Sequence, residues 1–199
     1  IGKFSMNTIS HADTLSANNV SLLKAATLTL SGYLGSATVT LAAEATNANT
    51  SVKRVAADVN AVKDSTGIEA VAITKGKISG LSGAGKVTFD LAGNHTDGEA
   101  ITTYDVTATL AAKTDLDPLV DAINAHAANT GITAILGSAA SEIILTHQTG
   151  ETIEITNLQV GATTSGTMVL TALDKFGNDV NSKDTTLGRA KNSATAKIT

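Results

Sequence analysis

The sequence predicts an α+β fold: two tandem ββαββ units with mostly antiparallel sheets, followed by a β-rich C-terminal tail. Three observations carry this. A stretch around Asn60 recurs around Asn124, an offset of 64 residues, and self-similarity at fixed spacing marks a repeated supersecondary unit. Each copy holds a stripe of Val, Leu or Ile at helical spacing. Short runs that alternate Thr with Val, Ile or Leu flank each stripe, as strands with one buried and one wet face do. At 199 residues and 42% hydrophobic, the chain is long and apolar enough to bury a core.

In chain order, residues 26–30 and 37–41 alternate and read as paired strands. A helix is expected over 51–65, where Val52, Val55, Val59 and Val62 fall on one stripe, with Thr50 or Ser51 as its N-cap. Gly67 suits the left-handed position just past a helix end. Residues 69–73 and 77–81 are the strands that follow. The second copy opens with strands 86–91 and 104–110, and its helix is expected over 118–129, with Leu119, Val120, Ile123 and Ala127 inward. Asp117-Pro118 reads as N-cap and first-turn proline, and Gly131 stands where Gly67 stands in the first copy. Strands over 133–136, 142–146 and 152–155 follow. In the tail, 167–173 is a strand, 174–179 a turn and 193–198 a final edge strand. The expected division is 1–84 for the first unit with an N-terminal strand segment, 85–160 for the second, and 161–199 for a tail that packs back on one of them. With one Pro and 17 Gly, the chain must turn mainly at Gly, Asn and Asp.

The recurring residues are specific. Val59-Asn60-Ala61, then Thr66-Gly67-Ile68-Glu69-Ala70, matches Ile123-Asn124-Ala125, then Thr130-Gly131-Ile132-Thr133-Ala134. A strand pair, a helix carrying (Val/Ile)-Asn-Ala, and Thr-Gly-Ile-x-Ala opening a strand resembles the repeat of bacterial flagellins, found also in hook-associated and filament-cap proteins. Two such units cover most of residues 25–160. The resemblance implies an outward-projecting variable region of an extracellular filament subunit, with other copies of the parent subunit as partners and exposed Ser and Thr as acceptors for surface glycans. It implies no cofactor. No long heptad-like helix stands at either end, so the fragment is not expected to polymerise alone. The start, Ile1-Gly2-Lys3-Phe4-Ser5-Met6, has neither an initiator Met nor an apolar core, and the chain reads as an excised fragment.

Composition narrows the alternatives. A net charge of −4 with scattered Lys and Arg argues against nucleic acid and against a cationic membrane face. No apolar run is long enough to span a bilayer. The absence of Cys removes disulfides, zinc thiolates and a Cys nucleophile. Aromatics at 3% leave few walls for a small-molecule pocket.

Several lookalike sites have plainer readings. Gly80-Leu81-Ser82-Gly83-Ala84-Gly85-Lys86 spells most of a phosphate loop, but Val87 follows where Ser or Thr should stand, and a strand follows rather than a helix; a hairpin turn or linker fits better. His11, His95, His126 and His147 lack a paired metal spacing. His126 occupies the place of Val62 and reads as a partly buried structural residue. Asp115 and Asp117 suit a helix start. Asp90, Asn94 and Asp97 with Gly93 and Gly98 lack the ligand spacing of a calcium loop and read as a solvated loop. No Ser sits in a Gly-x-Ser-x-Gly elbow.

Three function classes remain to be weighed. The leading one is structural, a flagellin-like outer domain pair. The second is a binding module of an adhesin or stalk, suggested by Leu173-Asp174-Lys175-Phe176-Gly177-Asn178-Asp179-Val180, which resembles the strand–turn–strand signature of bacterial immunoglobulin-like stalk domains. An enzyme is the third, and no catalytic set supports it.

Overall fold

A computed structural model describes residues 26–41, 52–93, 101–161, 166–179, 185–188 and 196–198. The fold is α+β with antiparallel sheets. The first unit begins with the hairpin of β1 (Ala26–Ser31) and β2 (Ser36–Leu41), then α1 (Val52–Asn60) and α2 (Lys63–Thr66). The second begins with β4 (Gly85–Ala92) paired to β5 (Tyr104–Leu110), then α3 (Asp117–Asn124) and α4 (Ala127–Thr130).

The remaining strands are β3 (Thr74–Ser79), β6 (Ile132–Leu136), β7 (Ile143–His147), β8 (Ile153–Val160), β9 (Thr167–Leu173), β10 (Thr185–Gly188) and β11 (Ala196–Ile198). They complete two sheets, ordered β10-β9-β3-β7-β6 and β11-β8-β4-β5. The larger core lies between them. Phe89, Leu91, Ile153 and Ile155 come from one sheet, Ile78, Ile143, Leu145 and Met168 from the other, and all are fully or almost fully buried. Leu119 and Ile123 of α3 enter the same core, and α3 packs on the two edge strands β5 and β6. Each core side chain of this size contributes roughly 1.5–3 kcal/mol through burial. The smaller core, Leu30, Val39, Val55 and Val59, lies between the first hairpin and α1, with Leu28, Val62, Ile68 and Ala70 packed against it.

Each expected helix is two segments. The range 51–65 becomes α1 and α2, and 118–129 becomes α3 and α4, because a tight turn interrupts both at the same place. The Val62 N–H donates to Val59 O (3.2 Å), and the His126 N–H donates to Ile123 O (3.0 Å). The expected Asp117 cap is also corrected. Leu116 holds the N-cap place without a side-chain hydrogen bond, and Asp117 is already helical, with Pro118 in the first turn. Thr50 and Ser51 lie outside the described residues, as do His11, His95, Asn94, Asp97 and Gly98.

The two copies part company after their helices. In the second, β6 turns back through 137–142 and pairs with β7. In the first, the strand expected over 69–73 does not form, and only Glu69 carries a bridge. The physical reason is partnership: the chain after residue 73 leaves as β3 and inserts between β7 and β9, so 69–73 has no returning strand. The linker 80–84 then carries the chain from one sheet to the other, which accounts for the phosphate-loop lookalike. At the junction of the copies, Gly150 is buried at φ 75°, and a Cβ there would overlap Ala72. The Lys53 N–H donates to Gly150 O (3.0 Å), and Lys53 Nζ pairs with the buried Glu151 Oε1 (2.6 Å).

Two irregularities have local causes. The β4–β8 register shifts between Thr88 and Asp90, with an extra residue on β8; Asn157 there adopts φ 56° and its Nδ2 donates to Asp90 Oδ2 (2.6 Å). A left-handed Asn in a bulge is the economical non-glycine solution. The turn 174–179 is held by Asp174, whose Oδ1 accepts from the N–H groups of Phe176 and Asn178 (2.8 Å each). Hydrogen bonds from the Asn178 side chain and backbone hold the Asp174 carboxyl below its ordinary pKa. A depressed folded value means that this contribution is full above the unfolded carboxylate range and is lost as pH falls through the folded value. Acidification is therefore expected to lower the protection of the Phe176 and Asn178 amides relative to their intrinsic exchange rates at each pH, and Asp174→Asn to flatten that dependence.

Candidate functional site

The residues singled out by the repeat occupy one arrangement, built twice. Asn60 ends α1 and Asn124 ends α3. Asn60 Nδ2 donates to Ala70 O (2.9 Å), and the Ala70 N–H donates to Asn60 Oδ1 (2.9 Å). Asn124 Nδ2 donates to Ala134 O (2.9 Å), and the Ala134 N–H donates to Asn124 Oδ1 (2.8 Å). One carboxamide thus serves both backbone groups of an Ala ten residues later, a geometry that needs a donor and an acceptor side by side, and Asn supplies both.

The threonines repeat as closely. Thr66 and Thr130 are fully buried. Thr66 Oγ1 donates to Val62 O (2.9 Å) and accepts from the Ile68 N–H (3.2 Å). Thr130 Oγ1 donates to His126 O (3.0 Å) and accepts from the Ile132 N–H (3.2 Å). Gly67 and Gly131 both sit at φ 71° and close their helical turns through backbone bonds to Lys63 O (2.6 Å) and Ala127 O (2.8 Å). That left-handed conformation favours glycine. A ring lies over each of them, Tyr33 over Gly67 and His147 over Gly131, so an added Cβ would overlap it. Val59 and Ile123 are buried core residues; Ile68 is half-buried and Ile132 fully buried. Ala61 and Ala125 are exposed at the break between helical segments. His126 is half-buried, its Nε2 3.1 Å from Asp105 O and its ring against Tyr104.

Sequence reasoning passed over one further pair. Gly32 and Gly93 each follow the first strand of their copy, and a Cβ on either would overlap a carbonyl oxygen, that of Thr66 or of Thr130. The signal was present as a Gly ending the first strand of both copies, at a spacing blurred by unequal hairpin loops.

Among the described residues no group of three or more His, Asp or Glu is placed to hold a metal, and no helix is long and apolar enough to cross a membrane. Asp90 bonds Asn157, and Asp115 and Asp117 are exposed. What the arrangement does is bind backbone to backbone. Losing two hydrogen bonds at about 0.5–1.5 kcal/mol each, Asn124→Ala is expected to cost about 1–3 kcal/mol. Asn60→Ala should weaken chiefly the first unit. Urea unfolding monitored at both units checks this.

A bracket of the same Asn, Thr and Gly built twice defines a structural repeat module. The family described as Flagellin hook IN motif matches residues 27–84 and 88–149, more than half of the chain, and the chain belongs to that family. It is a flagellin-family structural protein, and the flagellin family assembles into filaments of like subunits in the extracellular flagellum. No curated protein and no solved structure matched the chain.

Proposed function

We propose that this chain is an outward-projecting part of a flagellin-like filament subunit, contributing to the filament surface and through it to motility. The observation that carries the reading is the tandem pair of brackets, in which the asparagine and the first threonine of each motif are used on the chain's own backbone. In this reading 1–84 and 85–160 are the two units and 161–199 is a β-rich tail packing back on one of them. The residues that hold each unit together are Val59, Asn60, Ala61, Thr66, Gly67 and Ile68, and then Ile123, Asn124, Ala125, Thr130, Gly131 and Ile132. Neighbouring copies of the parent subunit are the partners. The exposed face of the first hairpin presents Thr27 opposite Thr40 and Thr29 opposite Thr38, a hydroxyl surface suited to O-linked glycans.

Immunogold labelling of cells with antibody raised against this folded chain tests the proposal. Gold along the whole filament supports it. Gold confined to the hook junction or filament tip assigns the chain to a hook-associated or cap subunit instead. Gold on the cell body away from flagella overturns the reading in favour of an adhesin or stalk.

A further inference from the structure

Strand β6 is one edge of the five-stranded sheet. Its residues, Ile132-Thr133-Ala134-Ile135-Leu136, include no charge and no proline, and Ile135 is 64% and Leu136 42% exposed. Such an edge is a template for pairing with another chain unless something blunts it. A lysine, a proline or a bulge is missing from β6 itself, and its cover comes from α3, which packs on it and ends at Asn124.

The register shows what stands in their place. An amide N–H serves one partner, and that of Ala134 goes to Asn124, so Ala134 opposite Leu145 is a wide pair of the ladder. The narrow pairs are then Thr133 with Thr146 and Ile135 with Ile144, continued by the Gly137 N–H donating to Glu142 O (2.7 Å). The backbone groups of Ile132 and Ala134 therefore face away from β7, toward the position of a sixth strand. Asn124 occupies both groups of Ala134, and Thr130 Oγ1 takes the N–H of Ile132.

We propose that Asn124 and Thr130 close the β6 edge against pairing with the same edge of a second copy of this chain. Ala134 is the midpoint of β6, so an antiparallel copy centred on it would satisfy the N–H and C=O that Asn124 now holds. The apolar Ile135 and Leu136 would be covered in the same step. The first copy keeps the same contacts, Asn60 with both groups of Ala70 and Thr66 with the N–H of Ile68, but no strand forms over 69–73, so the edge argument belongs to β6. The inference goes beyond the filament proposal and holds whichever surface protein the parent is.

The test is sedimentation velocity on the whole 199-residue chain over a concentration series, with circular dichroism to confirm folding. Asn124→Ala hands two backbone hydrogen bonds to an incoming strand and is expected to lower the self-association concentration by roughly tenfold. Asn124→Asp, which keeps the acceptor and loses the donor, shifts it less in the same direction. Adding Ile135→Lys to Asn124→Ala puts like charges on both strands and returns the chain to monomer without restoring any bond to Ala134. Both single variants remaining as monomeric as the parent overturns the proposal. Association that Ile135→Lys does not relieve overturns it too, because it would then arise from exposed core.

Discussion

Gly93→Val is expected to destabilise the chain by about 3 kcal/mol, at the upper end for overpacking a filled site. The backbone at Gly93 is buried, and the new Cβ would overlap the carbonyl oxygen of Thr130 and approach Ile132 Cγ1 and Cδ1 to 2.9 and 2.8 Å. The obstacle is mainly backbone, and Thr130 is itself tied through its side chain to His126 O and the Ile132 N–H. Relief therefore requires moving the whole helix-to-strand bracket. Gly83→Ala is the control: its Cβ would meet nothing nearer than Val160 Cγ1 at 4.0 Å, and the change should fall within about 0.5 kcal/mol of zero. Urea midpoints with unchanged slope check both. Gly32→Val carries the same overlap with Thr66 O, with its effect concentrated in the first unit.

Ile123→Ala is expected to cost about 2–5 kcal/mol and to lower the stability of the whole sandwich. Ile123 is fully buried in the large core between the two sheets. Its counterpart Val59 is as well buried, but in the four-residue cluster of the first unit. Val59→Ala removes less volume from a smaller cluster, so its expected result is local opening rather than global loss. Native-state hydrogen exchange separates the two. Val59→Ala should speed exchange in β1, β2 and α1 and leave Phe89 and Leu145 protected, while Ile123→Ala should raise exchange throughout both sheets. Uniform loss from Val59→Ala would show that the small cluster is part of one cooperative core.

The sequence made the duplication legible because its cause is local. Asn, Thr and Gly at fixed spacing serve backbone groups within ten residues, so the same letters recur wherever the same turn is built. The stripe Val52, Val55, Val59 and the alternation of 167–173 were equally legible, since burial sets their period. Partnership across the chain was not. Nothing within residues 69–73 distinguishes them from 133–136 as a strand, yet one pairs with a returning neighbour and the other does not. The insertion of β3 between β7 and β9 is decided by pairings as distant as Thr74 with His147 and Lys75 with Leu173. The break inside each helix was hidden as well, because Val62 and His126 keep the helical stripe while the backbone at Ala61 and Ala125 turns. Of the bracket, the motif letters could be read; the edge they occupy could not, because it exists only once β6 has found β7.

The measurement that bears most directly on this account is amide hydrogen exchange at Ala70 and Ala134 by NMR, in the parent chain and in Asn60→Ala and Asn124→Ala. Each amide is expected to be protected in the parent and to lose protection only when its own Asn is replaced. Fast exchange at both amides in the parent, or protection that survives loss of the matching Asn, would contradict the claim that the repeated asparagines hold the chain at Ala70 and Ala134.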